Sequence, residues 1–205
     1  MHIACLDLEG VLVPEVWINV SQFTGIEELK LTTRDVPDYD ALMKRRIAIL
    51  ADYKLTLPDI QDVISRMRPL EGAMEFLRWL RVNYQVIILS DTFYEFAAPL
   101  LKQLDYPTLL CHNLSVDKSG RIIDYCIRLR DQKRESVKVF RAMNFKVIAV
   151  GDSYNDTAML SEADLGILFR PPQNIIEEFP QFVRTADYAG LKSAFMEFDE
   201  HMPGL

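Results

Sequence analysis

Three short apolar runs, far apart along the chain, each end on polar residues that could take part in phosphate chemistry. The runs contain β-branched residues and are followed by turn signals, a pattern typical of buried parallel strands. They cover residues 3–6, 86–89 and 147–150. Ligands bind beyond the carboxyl ends of the strands in open parallel sheets. We therefore expect Asp7, Ser90 and Asp152, which follow the three runs, to meet in one crevice.

Bulk properties narrow the class of protein. A chain of 205 residues can bury a substantial core, and a net charge of −7 argues against a nucleic-acid partner, which would need a basic face. No signal peptide and no apolar stretch long enough for a membrane helix are visible. The cysteines Cys5, Cys111 and Cys126 lack the spacing of a disulfide framework or a zinc site. Cys5 and Cys126 are expected to be core residues, and a reducing cytoplasm fits best.

Strands that alternate with helices predict an α/β fold with a doubly wound, mainly parallel sheet. Residues 14–70, which follow the first strand, are predicted to be helical throughout, with residues 35–38 as the linker-like break. This segment is too long for a simple crossover between two strands. We therefore expect a core built from residues 1–13 and 71–205 and a helical cap inserted at 14–70.

Further elements are predicted from periodicity and turn signals. Within the insert, Thr56 is expected to cap a helix that carries Pro58 in its first turn. Residues 114–125 resemble a β-hairpin with its turn at 118–120. The other predicted elements are helices over 71–81, 93–104, 131–143 and 188–198 and a strand over 166–169.

Asp7 and Glu9 are candidates for covalent phosphoryl transfer. A carboxylate at a strand end can attack phosphorus and form an aspartyl-phosphate. A second acid two residues later can deliver a proton to the leaving group or take one from the incoming nucleophile. Gly10 then lets the chain turn away. Alone, the Asp-x-Glu pattern is more often a solvated turn after a buried strand.

The turn after the third run is rich in oxygen ligands. Asp152 and Asp156 flank Ser153 and Asn155, and Gly151 opens the turn. Mg²⁺ takes one or two carboxylates, with waters and phosphate oxygens completing its shell. Asp7 and Asp152 could be those carboxylates, while Asp156 could hold a metal-bound water or orient the loop. The alternative is an ordinary helix N-cap at Asp152 or Ser153.

A hydroxyl and a cation complete the candidate set. Ser90 could bind a phosphate oxygen, helped by backbone N–H groups at the start of the following helix, although an N-cap is its alternative role. Lys133 lies just before the third run and is the best candidate for the balancing cation. Arg130, Arg134 and Lys138 compete with it, since most such charges face solvent.

Together these segments resemble the haloacid dehalogenase superfamily of aspartate-nucleophile phosphotransferases. Residues 7–13 are similar to its first motif, residues 89–92 to its second, Lys133 to its third and residues 151–156 to its fourth. The resemblance spans the core from residue 1 to about 170. It implies Mg²⁺ as cofactor, held by Asp7, Asp152 and the backbone carbonyl of Glu9. It also implies that Ser90, Lys133 and Asn155 hold the transferred phosphoryl group.

Within the superfamily the chain resembles the phosphoserine phosphatases. Residues 39–46 are similar to their cap segment, which puts an aromatic residue at Tyr39 and a substrate-binding arginine at Arg46. Across a one-residue gap, Glu15 corresponds to the glutamate that reads the serine amino group. An arginine can grip the substrate carboxylate bidentately, and a glutamate can pair with its ammonium. The alternative for residues 44–46 is a solvated helix face.

Two departures distinguish the chain from most members of that group. Glu9 stands where the family usually has aspartate, and Asp91 stands in the phosphate-binding second motif where it usually has glycine. These features and residues 13–17 resemble the ThrH-type subgroup, described as phosphoserine phosphatases with phosphoserine:homoserine phosphotransferase activity. The resemblance therefore implies phosphoserine as substrate and homoserine as a further acceptor, with a homodimer left open.

Two other functions stay open at this point. A receiver-like signalling module also combines acidic strand ends, Mg²⁺, a hydroxyl and a lysine, although it would not explain the helical insert. A catalytically impaired phosphoserine-binding protein would fit the departures at Glu9 and Asp91. The first would accumulate a stable phospho-aspartate, and the second would release no phosphate.

Overall fold

A computed structural model describes residues 1–32, 35–36 and 38–201 of the chain. Its centre is a seven-stranded sheet with the order β4-β3-β2-β1-β5-β6-β7. The strands are β1 (His2–Leu6), β2 (Gln85–Phe93), β3 (Thr108–Val116), β4 (Ile122–Cys126), β5 (Lys146–Gly151), β6 (Leu165–Phe169) and β7 (Val183–Thr185).

The sheet is parallel except at one edge, where β4 runs antiparallel to β3 in the predicted hairpin. From β1 the chain moves to β2 and β3 on one side, then returns to place β5 on the other side of β1. The direction of winding therefore reverses between β1 and β5. A crevice opens beyond the carboxyl ends of the strands at such a reversal. The α/β doubly wound prediction is confirmed.

Both faces of the sheet are covered. Side chains alternate along β1, so Ala4 and Leu6 join one hydrophobic cluster while Ile3 and Cys5 join another. All four are at most 3% exposed. Continuous apolar strands are expected when helices cover both faces of a parallel sheet.

Nine α-helices surround the sheet in the described part of the chain. They are α1 (Val16–Thr24), α2 (Tyr39–Asp52), α3 (Leu57–Arg66), α4 (Ala73–Asn83), α5 (Tyr94–Gln103), α6 (Gln132–Ala142), α7 (Thr157–Glu162), α8 (Gln173–Glu178) and α9 (Tyr188–His201). Short 3₁₀ helices lie at Glu27–Lys30 and Tyr154–Asp156.

Three α-helices and one 3₁₀ helix lie between β1 and α4, in the segment where an inserted cap is predicted. Thr56 caps α3 together with Asp59 in a reciprocal capping box, and Pro58 lies in the first turn, as expected. Buried residues of α1, α2 and α3 belong to the same hydrophobic cluster as Ala4 and Leu6. The insert is thus packed continuously with one face of the core. Its boundaries at 14 and 70 stay a prediction, and Pro37 in the expected linker lies outside the described residues.

The structure corrects the sequence-based predictions at several points. Strand β2 continues to Phe93, so α5 begins at Tyr94 instead of Phe93. Helix α8 and strand β7 were not predicted, since three to six residues carry too little periodicity. Cys126 is exposed instead of belonging to the core, because it ends the edge strand β4, whereas Cys5 is buried as expected.

Within the described residues, every helix is too short or too polar to span a lipid bilayer.

Candidate active site

The carboxyl ends of β1 and β5 bring Asp7 and Asp152 together across 145 residues of sequence. Leu6 is paired with Val150 in the sheet, and the Asp7 N–H donates to the Val150 carbonyl at 2.9 Å. Gly10, at φ +76°, lets the loop after β1 pass against Asp152. A Cβ atom there would lie 2.5 Å or less from the carboxyl atoms of Asp152. This close approach needs glycine both for the backbone angle and for the space.

Carboxylate oxygens of Asp7, Asp152 and Asp156 lie within 4.8 Å of one another. The Lys133 ammonium reaches into the same cluster, 3.0 Å from Asp7 Oδ2 and 2.8 Å from Asp156 Oδ1. Lys133 is 5% exposed, Asp7 6% and Asp156 fully buried. Two carboxylates and a cation from three different segments therefore meet out of solvent, with Asp152 beside them.

Asp156 organises the loop after β5. Its Oδ2 atom accepts hydrogen bonds from the Asp152 N–H, the Ser153 N–H and the Ser153 hydroxyl, each at 3.1 Å. Its other oxygen accepts from Lys133. Gly151 leaves room for this arrangement, since a Cβ atom there would lie within 2.6 Å of the Asp156 side chain. With both oxygens engaged, Asp156 is better placed to orient Asp152 than to ligate an ion itself.

The cluster carries more negative than positive charge. Burial and the neighbouring Asp156 raise the pKa of Asp7 well above its usual range, against the opposing effect of Lys133. Burial and Asp156 likewise raise the pKa of Asp152 to about 7. Burial disfavours the charged form of Lys133, but Asp156, Asp7 and Asp91 outweigh it and hold the pKa of Lys133 well above its usual range. An added divalent cation would balance this excess, and oxygen donors suit Mg²⁺.

Glu9 lies at the beginning of helix α1. Its Oε2 atom accepts a hydrogen bond from the Val16 N–H at 2.8 Å, which satisfies one of the free N–H groups of the helix. Burial and the neighbouring Glu15 raise the pKa of Glu9 to about 8, although the Val16 hydrogen bond opposes the shift. Glu9 is therefore mostly protonated at neutral pH. Its longer side chain, compared with aspartate, spans the gap to α1.

Ser90 is buried, but it does not cap a helix. Strand β2 continues past it with a shifted register between Leu89 and Phe93, and Phe93 stands at the N-cap of α5. The alternative role of Ser90 as a helix N-cap is therefore wrong, whereas the help expected from N–H groups of that helix stays a prediction. The Ser90 hydroxyl instead accepts from the Thr92 N–H at 3.3 Å and faces the cavity.

Asp91 belongs to a polar network that the sequence did not indicate. His112, which is 4% exposed, lies 3.6 Å from Asp91 through Nε2 and accepts the Arg128 N–H at Nδ1. Gln132 donates to Asp91 and to the Ser90 carbonyl. Burial opposes ionisation of Asp91, but Lys133 and His112 outweigh it and lower its pKa to about 2. His112 and Gln132 lie in unremarkable local sequence, so pattern analysis had no signal for them.

Arg46 is buried, in contrast to its neighbours. Lys44 and Arg45 are exposed on α2, as a solvated helix face predicts, whereas Arg46 is only 7% exposed. Its guanidinium lies over the Trp17 ring, 4.4 Å from the centroid, and donates to the Leu31 carbonyl at 2.7 Å. Burial lowers the pKa of Arg46 to about 10, so it stays charged.

Tyr39 connects the insert to the core at the cavity wall. Its hydroxyl donates to the Asp91 carbonyl at 3.3 Å, and its ring packs edge-on against Tyr125 of β4. Burial and the nearby Asp91 raise the pKa of Tyr39 above its usual range. The hydroxyl therefore stays protonated and can act as a donor.

A cavity of about 590 Å³ gathers these side chains. Nine sequence-predicted site residues line it: Asp7, Glu9, Glu15, Tyr39, Arg46, Ser90, Asp91, Lys133 and Asn155. Asp152 and Asp156 are not among the lining residues, but their carboxylate oxygens lie within 4.8 Å of an oxygen of Asp7. The lining residues without a predicted role are Trp17, Ile18, Thr32, Leu42, Thr92, Ser153 and Tyr154. Most of these are apolar or lie between motifs, where a single sequence carries no signal of function.

Lys133 differs from the neighbouring cations in its burial. Arg130 and Arg134 are exposed, and Arg134 pairs with Glu162. Lys138 pairs with Glu135 one turn away on α6. Arg134 and Lys138 lie on the solvated side of α6, and Arg130 lies just before that helix. Lys133 instead points into the carboxylate cluster.

Comparisons with known proteins agree with this geometry. The family model for haloacid dehalogenase-like hydrolases matches residues 22–161. The chain is 59% identical over 96% of its length to "Phosphoserine phosphatase ThrH" of Pseudomonas aeruginosa, 96% of which is covered. It is 57% identical over 96% of its length to a phosphoserine phosphatase of Pseudomonas syringae pv. tomato, with 83% of that protein covered.

A solved structure described as a phospho-aspartyl intermediate analogue of phosphoserine phosphatase has a similar fold. The TM-score is 0.69 at 22% identity, with 86% of this chain and 90% of that chain covered. The matched family, the close relatives and the shared fold lead to one conclusion. The chain belongs to the haloacid dehalogenase-like hydrolase family, within which it is similar to phosphoserine phosphatases of the ThrH type.

Proposed function

We propose that the protein is a Mg²⁺-dependent phosphoserine phosphatase that works through an aspartyl-phosphate on Asp7. The observation that carries this proposal is the meeting of Asp7, Lys133 and Asp152 beside a cavity whose wall also holds Arg46 and Glu15. The carboxylate–lysine cluster suits a phosphate, and Arg46 and Glu15 suit the charged groups of an amino acid. The similarity to phosphoserine phosphatases of two Pseudomonas species supports the same substrate.

In the first step Asp7, whose ionised form is favoured by Lys133 and would be favoured further by bound Mg²⁺, attacks the phosphorus of phosphoserine. The bond between phosphorus and the serine oxygen breaks as the bond to Asp7 forms. Glu9, whose raised pKa of about 8 keeps it protonated, donates its proton to the departing serine oxygen. In the second step the Glu9 carboxylate takes a proton from the incoming water, which attacks phosphorus and frees Asp7.

Charge on the transferred group is held by fixed donors. Lys133, Ser90 and Asn155 line the cavity and would bind the phosphate. Asp7, Asp152 and the backbone carbonyl of Glu9 would hold Mg²⁺, in keeping with the cluster of carboxylate oxygens. When bound, the ion would neutralise phosphoryl charge. Donors preorganised in this way need no reorganisation during the reaction.

The amino-acid end of the substrate is assigned to the helical insert. Arg46 carries a buried positive charge that suits the substrate carboxylate, and Glu15 carries a carboxylate that suits its ammonium. Tyr39 closes the same wall with a hydroxyl donor. Oppositely charged groups at set positions favour a phosphorylated amino acid over a phosphomonoester whose alcohol part is uncharged.

We further propose that homoserine competes with water for the phosphoryl group. The cavity lies within the range of about 300–1,000 Å³ that accepts drug-sized ligands. Serine leaves when the aspartyl-phosphate forms, so homoserine, which also carries an ammonium and a carboxylate, would take the place in this cavity that serine vacated. We also propose a cytoplasmic location, because all three cysteines are free, as in a reducing compartment.

Product analysis with phosphoserine and Mg²⁺, with and without homoserine, tests these proposals. We expect phosphate release that needs Mg²⁺, and phosphohomoserine when homoserine is added. The Asp7→Asn variant should fold normally and release no phosphate, and wild-type turnover in that variant would refute the mechanism. A stable phospho-aspartate without turnover would favour the receiver-like alternative, and phosphoserine binding without release would favour a binding protein.

A further inference from the structure

Arg46 is a buried cation whose guanidinium lies over an aromatic ring. Its guanidinium donates to the Leu31 carbonyl at 2.7 Å and lies 3.8 Å from the Met43 sulfur. Its Nε atom is buried and has no hydrogen-bond partner within residues 1–32, 35–36 and 38–201. The face of the group is covered by Trp17, 4.4 Å from the ring centroid.

Trp17 in turn packs against the hydrophobic core. Its ring packs edge-on against Phe96 of α5, with 5.3 Å between centroids, and Phe96 is fully buried in the core. Trp17 is the second residue of α1, next to Val16, whose N–H is bound by Glu9. The indole is therefore a rigid platform between the core and the cavity, and it lines that cavity together with Arg46.

An aromatic ring can stabilise a buried guanidinium without competing with the substrate for its hydrogen-bond donors. A buried guanidinium needs a stabilising neighbour, but a carboxylate in that place would compete with a substrate carboxylate for the same N–H donors. A stacked ring stabilises the positive charge through its face and does not itself occupy the N–H donors at the guanidinium edge.

We propose that Trp17 is a positioning residue that presents Arg46 to the substrate carboxylate and so gives the site its preference for phosphorylated amino acids. This inference rests on the proposed function and adds a specificity-determining residue to it. Trp17 touches Arg46 and acts through it. A residue that merely packed the insert onto the core would affect all phosphomonoesters alike.

The test compares two substrates that differ by one carboxylate. Phosphoserine and phosphoethanolamine share the phosphate and the ammonium, but only phosphoserine has the group that Arg46 would bind. In Trp17→Leu we expect kcat/KM for phosphoserine to fall about tenfold, the loss of a desolvated cation–π contact, mostly through KM. The kcat/KM for phosphoethanolamine should stay within about twofold of wild type.

A matched control lies on the same helix. Phe23 of α1 stacks under Arg66 at 4.7 Å from the ring centroid, but this pair lies outside the cavity. Phe23→Leu therefore removes the same type of contact from the same helix and should leave both kcat/KM values unchanged. Trp17→Phe keeps a ring beneath Arg46 and should retain most of the preference for phosphoserine, even if the leucine variant folds poorly.

A double-mutant cycle with Arg46→Met measures the coupling directly. If Trp17 acts through Arg46, Trp17→Leu should cause no further loss with phosphoserine once Arg46 has been replaced. Additive losses in the cycle, or equal losses on both substrates, would overturn the inference and leave Trp17 a packing residue. A wild-type protein that does not hydrolyse phosphoserine would instead overturn the proposed function.

Discussion

The carboxyl group of Glu9 has two roles, a hydrogen bond to helix α1 and a position in the cavity wall. Its carboxylate reaches the Val16 N–H at the beginning of α1, and it lines the cavity beside Glu15. Burial and Glu15 raise its pKa to about 8. A carboxyl group with a pKa near the working pH is suited to give and take a proton in the same catalytic cycle.

Replacing Glu9 with glutamine should separate the proton-transfer role from binding. We expect kcat for phosphoserine to fall about 10²–10⁴-fold with little change in KM, as is typical for loss of a general acid. The p-nitrophenolate group leaves without a proton, so the first burst of p-nitrophenol from p-nitrophenyl phosphate should keep its wild-type rate. Rapid-mixing kinetics check both; a burst slowed as much as phosphoserine turnover would contradict the assigned role.

Gly10 and Gly25 offer a matched pair for the approach of the first loop to Asp152. Both have similar positive φ angles, +76° and +74°, but a Cβ atom would meet the Asp152 carboxyl only at Gly10. Alanine at either position should cost about 1–2 kcal/mol of unfolding free energy for the backbone alone. Gly10→Ala should in addition abolish the stabilisation by Mg²⁺, which chemical denaturation with and without Mg²⁺ measures. Equal Mg²⁺ responses in the two variants would count against Asp152 as a ligand.

At the scale of elements, the β3–β4 hairpin supports the helical insert. The Tyr125 hydroxyl donates to Asp40 at 2.6 Å, and the Gly120 carbonyl accepts from the Leu57 N–H at 2.8 Å. Helix α2, which begins at Tyr39 and carries Arg46, is thereby held against the edge of the sheet. We therefore expect the position of Arg46 in the cavity wall to depend on this support.

Removing the Tyr125 hydroxyl should loosen the position of α2. In Tyr125→Phe we expect KM for phosphoserine to rise about two- to fivefold at unchanged kcat, the effect of one partly exposed hydrogen bond. Lys44→Met is the control, because Lys44 pairs with Asp40 within α2 and interacts with the hairpin through the charge of Asp124 instead of through the Tyr125 hydroxyl. Steady-state kinetics of both variants decide the matter; matching KM values would show that the hairpin contact is not needed.

At the scale of the whole molecule, the buried carboxyl groups of the site make the stability of the protein depend on pH. The pKa values of Glu9 and Asp152, about 8 and about 7, lie above the ordinary values of 4.5 and 3.8. At pH values between the ordinary pKa and the raised pKa of each group, the folded protein keeps a proton that the unfolded chain releases. Their contribution to stability is therefore complete at low pH and lost as the pH rises through about 7 to 8.

Stability in the presence of a chelator should fall between about pH 5 and pH 8, and Mg²⁺ should reverse the trend. The ion competes with protons for the carboxylates, so the rise in Tm on adding Mg²⁺ should be larger at the higher pH. Thermal unfolding at both pH values measures this. Asp152→Asn should flatten the chelator profile and remove the Mg²⁺ response; a wild-type Mg²⁺ effect that does not depend on pH would contradict the assignment.

Much of the site was predictable because its parts are local. Apolar runs followed by Asp7 and Asp152 predict strand ends, and the parallel sheet then requires those ends to share one edge. The capping box of α3 and the hairpin turn were also visible in short stretches of sequence. In each case a few neighbouring residues fix the backbone, so the sequence alone determined the element and its place.

Tertiary structure alone decided which side chains support these parts. In the local sequence Arg46 has the same basic character as its exposed neighbours Lys44 and Arg45. Only the folded structure shows that Arg46 is buried against Trp17. His112 reaches Asp91 through the pairing of β2 with β3, which no local pattern reveals. Cys126 is exposed because its strand lies at the edge of the sheet. Local sequence therefore determined the strand ends and their chemistry, whereas burial and partner choice depend on contacts between distant segments, which form only when the chain packs.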